Sequence, residues 1–319
     1  MRVLMLGFAR FGAAVFEAVR DAGHDVVALA THETRPERIT GYCPPDLSAL
    51  AGEAGVPSAV IAPGERDMVH RFAGEHTFDL VLAVNWRGWI QTDVLDLAPQ
   101  GGVNLHGSLL PAYRGNAPMT WAIIHGERTL GVTAHRLAEE IDAGTILGQR
   151  SYDLASEETI ADAYDRSEAI FGPLTVEVLD ALERGEAVET PQDESRASRF
   201  GRRRPEGGVI DWSVPAHRVH DWVRAQTSPL PGAFTHAGLT KVIVWRTEVV
   251  DERTTLGTPG RILETDGSSV TVAAGQGAVR LVQTSSGERY GDEGAELITQ
   301  GVLQAGGQLG QVLSDEAAA

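Results

Sequence analysis

Residues 2–30 read RVLMLGFARFGAAVFEAVRDAGHDVVALA, and their pattern decides the fold. The apolar run 2–6 stops at Gly7. Residues 13–23 (AAVFEAVRDAG) then carry apolar side chains at helical spacing and close on Gly23. Residues 24–30 (HDVVALA) form a second strand. A strand, a helix and a strand in succession imply a crossover, and hence a parallel sheet. The turn from Gly7 to Gly12 lacks the central glycine of a dinucleotide fingerprint. Thr31 and His32 stand where an acidic residue would close the second strand. No bound NAD is therefore expected, and the glycines read as tight-turn residues.

Moving outward, the alternation continues. Residues 46–55 predict a helix with Asp46 as its cap, 56–61 a strand, 66–74 a helix and 80–84 a buried strand. The strand 102–105 delivers Asn104 and His106 to its carboxyl end, where open α/β sheets place ligands. Strands at 130–137 and 146–154 lead into a long helix, 159–184, stopped by Gly185, with Phe171 and Leu174 as core. Residues 186–208 turn polar, proline-containing and basic, as a linker does. One more helix, 215–225, precedes short β-rich runs between 233 and 282 that suggest a small barrel or sheet. Helix and turn return over 287–312, and SDEAAA at 314–319 reads as a frayed end. The expected division is a catalytic domain over 1–190, a linker over 191–208 and a second domain over 209–315.

With 319 residues, 42% of them hydrophobic, the chain has core enough for two domains. No apolar run nears the roughly 18 residues of a membrane span, and the N-terminus does not read as a signal peptide. Cys43 is the single cysteine, so no disulfide forms within the chain and the cytoplasm is the expected compartment. No His/Cys cluster has metal-ligand spacing, and no metal is expected. The net charge of −17 repels phosphate backbones unless a basic patch is set aside. The one dense basic cluster is Arg199, Arg202, Arg203 and Arg204, which reads either as a solvated linker or as a clamp for an anionic substrate.

Residues 101–148 carry the chemistry: GGVNLHGSLLPAYRGNAPMTWAIIHGERTLGVTAHRLAEEIDAGTILG. An amide (Asn104), an imidazole (His106) and a carboxylate (Asp142) together are what acyl transfer to an amine needs. The imidazole moves protons near neutral pH. The carboxylate fixes its tautomer and favours its protonated form, and the amide steadies an oxyanion. No covalent intermediate is required, and Ser108 reads as a turn residue.

The Asn-x-His pair, the run Ser108–Pro111 with Tyr113–Gly115, and Asp142–Gly144 resemble the enzymes that formylate amines with 10-formyltetrahydrofolate. Residues 200–212 and 228–234 resemble the C-terminal parts of methionyl-tRNA formyltransferases and their relatives. The branch most similar is that of the sugar N-formyltransferases, including the formyltransferase domain acting on UDP-4-amino-4-deoxy-L-arabinose. The resemblance implies a Rossmann-like parallel-sheet domain followed by a small OB-like β-barrel. It implies Asn104, His106 and Asp142 as the catalytic set, and a folate pocket formed by Trp86, Arg87, Trp89 and Ile90 with Glu139, Glu140 and Ile141. It places Tyr113, Arg114 and Asn116 near the acceptor, with Arg202 and Arg203 reaching a diphosphate. The donor implied is 10-formyltetrahydrofolate, and the acceptor a small-molecule amine, a nucleotide-linked amino sugar; a homodimer is implied too. The tRNA enzymes carry a basic insertion after the second strand, whereas the matching segment here holds only Arg35 and Arg38 as bases. Methionyl-tRNA stays open as the alternative acceptor, as do amino acids or hydroxyornithine in siderophore or antibiotic assembly, and hydrolysis of the donor to formate.

Overall fold

The computed structural model describes residues 1–287 and 289–310. Residues 311–319, which hold the end of the expected second domain and the tail, lie outside the described residues.

The first sheet grows from the opening pattern. Strand β1 (Arg2–Gly7) leads into helix α1 (Ala9–Asp21) and strand β2 (Asp25–Thr31). The helix begins at Ala9 rather than Ala13, because Ala9 takes a φ of 55° and turns the chain directly out of the strand. Gly12 lies inside the helix with no positive φ. A Cβ there would stand 2.7 Å from Leu47 Cδ2 and 3.2 Å from the Gly7 carbonyl carbon. Close packing of helix on strand, not a turn, is what requires that glycine. Helix α2 (Leu47–Glu53) is capped as expected, Asp46 accepting from the Ser48 and Ala49 N–H groups. Strand β3 (Ser58–Val60), helix α3 (Arg66–Gly74), strand β4 (Leu80–Val84), helix α4 (Thr92–Leu95) and strand β5 (Gly102–His106) follow.

Next come the two-residue strand β6 (Arg114–Gly115), helix α5 (Pro118–Ile124), strands β7 (Thr129–Arg136) and β8 (Ile146–Asp153), and helix α6 (Ile160–Arg184). The long helix has a capping box between Thr159 and Asp162 and stops at Gly185, whose φ is 69°. Phe171 and Leu174 are buried core residues.

The sheet runs β3-β2-β1-β4-β5-β7-β8, with β1 to β5 parallel and the edge pair β7, β8 antiparallel. Strands β1 and β4 are buried on both faces, apart from Arg2, as a sheet covered by helices on both sides requires. The strand order reverses between β1 and β4, so the crevice for a ligand opens above their carboxyl ends.

Residues 190–200 pass over this domain through strand β9 (Arg199–Phe200), which pairs with β6. Helix α7 (Ala216–Arg224) then enters an antiparallel sheet of strands β10 (Ala233–Ala237), β11 (Thr240–Asp251), β12 (Ile262–Asp266), β13 (Ser269–Ala273) and β14 (Ala278–Ser286), ordered β10-β11-β14-β13-β12. Register shifts along β11 curve the sheet. After helix α8 (Gly294–Thr299), Leu309 bridges Ala237 while Gln308 bridges Arg261, which ties the two edges of the sheet together. The result is a small barrel-like domain with Val242, Val244, Val270, Val272, Val279 and Leu281 inside. Among the described residues no helix is long and apolar enough to cross a membrane.

Candidate active site

Strand β5 points alternate residues the same way, so Asn104 and His106 share a face. The His106 ring is 7% exposed and Asp142 is 11% exposed, with His106 Nδ1 3.6 Å from Asp142 Oδ2. The other ring nitrogen, Nε2, lies 2.9 Å from the Tyr113 carbonyl oxygen. A carbonyl only accepts, so Nε2 carries the proton and Nδ1 holds the lone pair. The Tyr113 backbone, not Asp142, therefore fixes the tautomer.

Burial lowers the His106 pKa; the Asp142 charge and the Tyr113 hydrogen bond oppose this without overturning it. Asp142 favours the protonated ring, as expected, but taking the imidazolium out of water costs more than this neighbour returns. Burial pushes the Asp142 carboxyl up, but the His106 charge and the Gly115 N–H hold it below the usual carboxylate range. The Gly115 N–H donates to Asp142 Oδ2 over 2.8 Å.

One member of the cluster is absent from the sequence reading. The register of β5 on β7 places His135 opposite Asn104. Its Nδ1 donates to the Arg136 carbonyl at 2.8 Å, so its Nε2 accepts from Asn104 Nδ2 at 3.0 Å. The second hydrogen of that amide lies along a long 3.4 Å contact to Asp142 Oδ1. Gly131, Thr133 and His135 do alternate with Leu130, Val132 and Ala134, so a polar strand face was legible; its neighbour was not. Ser108 donates to the Ala112 carbonyl at 2.7 Å, the turn bond expected of it.

The cluster forms part of a cleft of about 740 Å³. Trp86, Arg87, Trp89 and Ile90 line it, as do Leu137, Ile141 and Asn116. Trp86 stacks on His32, ring centroids 4.0 Å apart. Burial lowers the His32 pKa, and its two nitrogens meet the Ile61 carbonyl (2.7 Å) and the Arg87 N–H (3.2 Å). A neutral His32 so pins the loop after β4. Arg87 lies over the Phe8 ring at 4.0 Å, and burial, then the charge of Arg202, lowers its pKa. Arg202, Arg203 and Arg204 line the same cleft, where Asp142 is the one carboxylate among the described lining residues.

Five of the expected binding residues are turned from the cleft or already engaged. Glu139 and Glu140 are exposed and do not line the cleft, and Glu140 pairs with Arg199 instead. The Arg114 guanidinium, 1% exposed and outside the cleft lining, has four of its five N–H groups taken up by Glu194 (2.6 and 2.9 Å) and Gln192 (2.8 and 3.1 Å). The Tyr113 side chain turns away to Glu127 at 2.8 Å and stacks on Phe200. Arg203 faces the cleft but sits 4.7 and 4.9 Å from the Trp121 and Trp222 rings and donates to Gln226. That tie joins the two domains.

Folding also gathers a possible cation-ligand group that spacing along the chain could not reveal. His24, Asp180 and Glu183 offer atoms within 4.8 Å of one another. They lie at the amino end of β2, away from the cleft, and the Met1 ammonium already contacts Glu183 at 2.7 Å.

A buried cluster of Asn104, His106, His135 and Asp142 thus lies at the carboxyl ends of a doubly wound sheet, with a barrel-like domain behind it. Residues 1–179 match the family described as formyl transferase, and residues 203–290 its C-terminal domain. The chain belongs to the formyl transferase family. Among solved structures it is similar to the N-formyltransferase of Helicobacter canadensis in complex with folinic acid and dTDP-3-aminofucose. That likeness has 16% identity and a TM-score of 0.67, and covers 89% of this chain and 99% of that one. It is also similar to HypX of Aquifex aeolicus in complex with tetrahydrofolic acid, at 22% identity and a TM-score of 0.62, over 90% of this chain and 44% of that one. The chain thus spans less than half the length of HypX. Methionyl-tRNA formyltransferase of Clostridium thermocellum shares 17% identity over 78% of this chain and 93% of its own, with a TM-score of 0.55.

Proposed function

We propose that this protein transfers a formyl group from 10-formyltetrahydrofolate to the primary amine of a nucleotide-linked amino sugar. The observation that carries this reading is the His106 ring, its Nε2 on the Tyr113 carbonyl and its Nδ1 3.6 Å from Asp142, in a cleft with flat apolar walls. Trp86, Trp89, Ile90 and Ile141 suit a flat heteroaromatic ring, and the cleft volume lies within the range of small-molecule sites.

In the reaction the acceptor nitrogen bonds to the formyl carbon and the bond from that carbon to the folate nitrogen breaks. The amine loses one proton and the leaving nitrogen gains one, so the group that carries it ends unchanged. His106 takes the proton on Nδ1 and gives it back. Asp142 stabilises the transient imidazolium. Asn104 turns its loosely held amide hydrogen to the oxyanion, a contact worth about 3 kcal/mol of barrier in such sites. For this chemistry we divide the chain at 1–190, 191–208 and 209–315.

The sugar-nucleotide reading is supported by the arginine-rich rim. Arg202 and Arg204 have no carboxylate partner among the described residues, which suits a diphosphate, and one similar fold holds dTDP-3-aminofucose. Replacing Arg202 with alanine should raise the acceptor KM roughly tenfold with kcat unchanged, the loss of one charge-assisted hydrogen bond. Arg203→Ala should instead lower Tm, since its guanidinium is spent between two tryptophans. Steady-state kinetics and a melting curve of each variant check both.

The reading is tested by incubating the protein with 10-formyltetrahydrofolate and a panel of amines, and seeking a mass gain of one formyl group. Gain on dTDP- or UDP-linked amino sugars is expected. Formylated methionyl-tRNA alone would replace the acceptor, and formate without any formylated amine would make the protein a hydrolase.

A further inference from the structure

Asp142 is a strained residue, with φ of 54°, in the left-handed region that side chains with a Cβ avoid. Something must hold it there. Its carboxylate accepts from the Gly115 N–H at 2.8 Å, and its carbonyl accepts from Gln192 Nε2 at 2.7 Å. The same Nε2 donates to the Gly144 carbonyl at 2.7 Å, so both ends of the Asp142–Gly144 turn hang on one amide. Gln192 Oε1 in turn accepts from Arg114 Nε and Nη2 at 3.1 and 2.8 Å. A guanidinium only donates and a carbonyl only accepts, so the amide has one possible orientation, with both hydrogens and the oxygen engaged. These bonds close a ring: the Asp142 carboxylate to Gly115, along the backbone to Arg114, through its guanidinium to Gln192, and back to the Asp142 carbonyl.

From this we infer that Gln192 is a positioning residue for the proton-handling pair, setting where the Asp142 carboxylate meets His106. The inference rests on the formyl-transfer reading above. Gln192 lies in a polar stretch that reads as a linker, and it touches neither reacting group. Its effect passes through the backbone of Asp142. Misplacing a group in such a site by about 1 Å can cost on the order of a hundredfold in rate.

Two variants separate positioning from bulk stability. Gln192→Met keeps length and neutrality but removes both donors. Gln192→Glu still accepts from Arg114 but cannot donate to the two carbonyls. Both should lower kcat about ten- to a hundredfold with tetrahydrofolate binding close to wild type, and Gln192→Met, which strips an acceptor from the buried Arg114 guanidinium, should also lower Tm. A second readout needs no turnover: in ¹⁵N-histidine spectra, His106 of Gln192→Met should titrate at lower pH than in wild type, because a displaced Asp142 supports its charge less. If wild type formylates no amine, the functional reading fails, yet this titration still decides the positioning. An unchanged His106 titration and kcat within twofold of wild type in the folded variants would overturn it. So would a rate loss that merely follows the unfolded fraction. Should Gln192→Met not fold, kcat and Tm of Gln192→Glu decide alone.

Discussion

Changing His106 to alanine should lower kcat about a hundred- to ten-thousandfold, the span general acid–base groups supply, while tetrahydrofolate still binds. The walls of the cleft come from Trp86, Trp89, Ile90 and Ile141, none of which depends on the imidazole. The pH dependence gives the expectation its sign. Burial lowers the His106 pKa from 6.5, so the ring is neutral and able to accept a proton at neutral pH. The rate should therefore rise along an acid limb that lies below pH 6.5 and level off above it. In His106→Ala that limb should vanish. The same group links to stability: with a folded pKa below its unfolded value, it binds a proton more readily when unfolded. Stability is thus present above the unfolded pKa and declines as pH falls through the window between the two values. A wild-type profile with its limb above 6.5, or near-normal turnover in the alanine variant, would show that another group handles the proton.

The parts of this architecture that were legible in the sequence are those written in local periodicity. The run 2–6, the helical spacing behind it, the Asp46 cap and the Thr159–Gly185 bounds of the long helix each rest on residues a few positions apart. The reversal of β7 was not legible, because a buried strand reads alike in either direction. The two-residue pairing of β6 with β9 was not legible either, since it is held by backbone groups and has no side-chain signature.

The site divides the same way. Asn104, His106 and Asp142 lie together as expected, since residue types and order carried that expectation. Arg114 and Arg202 look equivalent in sequence, yet one is buried against Glu194 and Gln192 and the other lines the cleft. The difference lies in partners about eighty residues away. At Tyr113 the group that matters to His106 is a carbonyl oxygen, which every residue has and no motif records. His135 was written on a visible polar face, but only the register of β7 against β5 makes it a partner of Asn104.

Asp142→Asn should lower kcat about ten- to a hundredfold, and the acid limb of the rate profile should move to lower pH as the plateau falls. Both effects come from one lost charge. A carboxylate 3.6 Å from Nδ1 supports the imidazolium that forms when His106 takes the amine proton. Once Nδ1 carries the amine proton it can close on the carboxylate as a hydrogen bond to a charged group, worth roughly 1.5–3 kcal/mol, and each 1.4 kcal/mol is tenfold. The asparagine amide still accepts from the Gly115 N–H, so the loop geometry that the ring of bonds fixes stays in place. Removing an anion lowers the pKa of a neighbouring imidazole, which sends the limb downward rather than upward. Stability changes in a different window. The wild-type carboxyl has a folded pKa below the ordinary aspartate value of 3.8, so it stabilises the fold above that pH and loses the contribution as acid protonates it. Asparagine has no such titration, and the acid unfolding of the variant should be shallower below about pH 4. Rate profiles and acid melts of the two proteins check these together. A limb that moves upward would mean that the Asp142 charge does not support the proton that His106 takes on Nδ1.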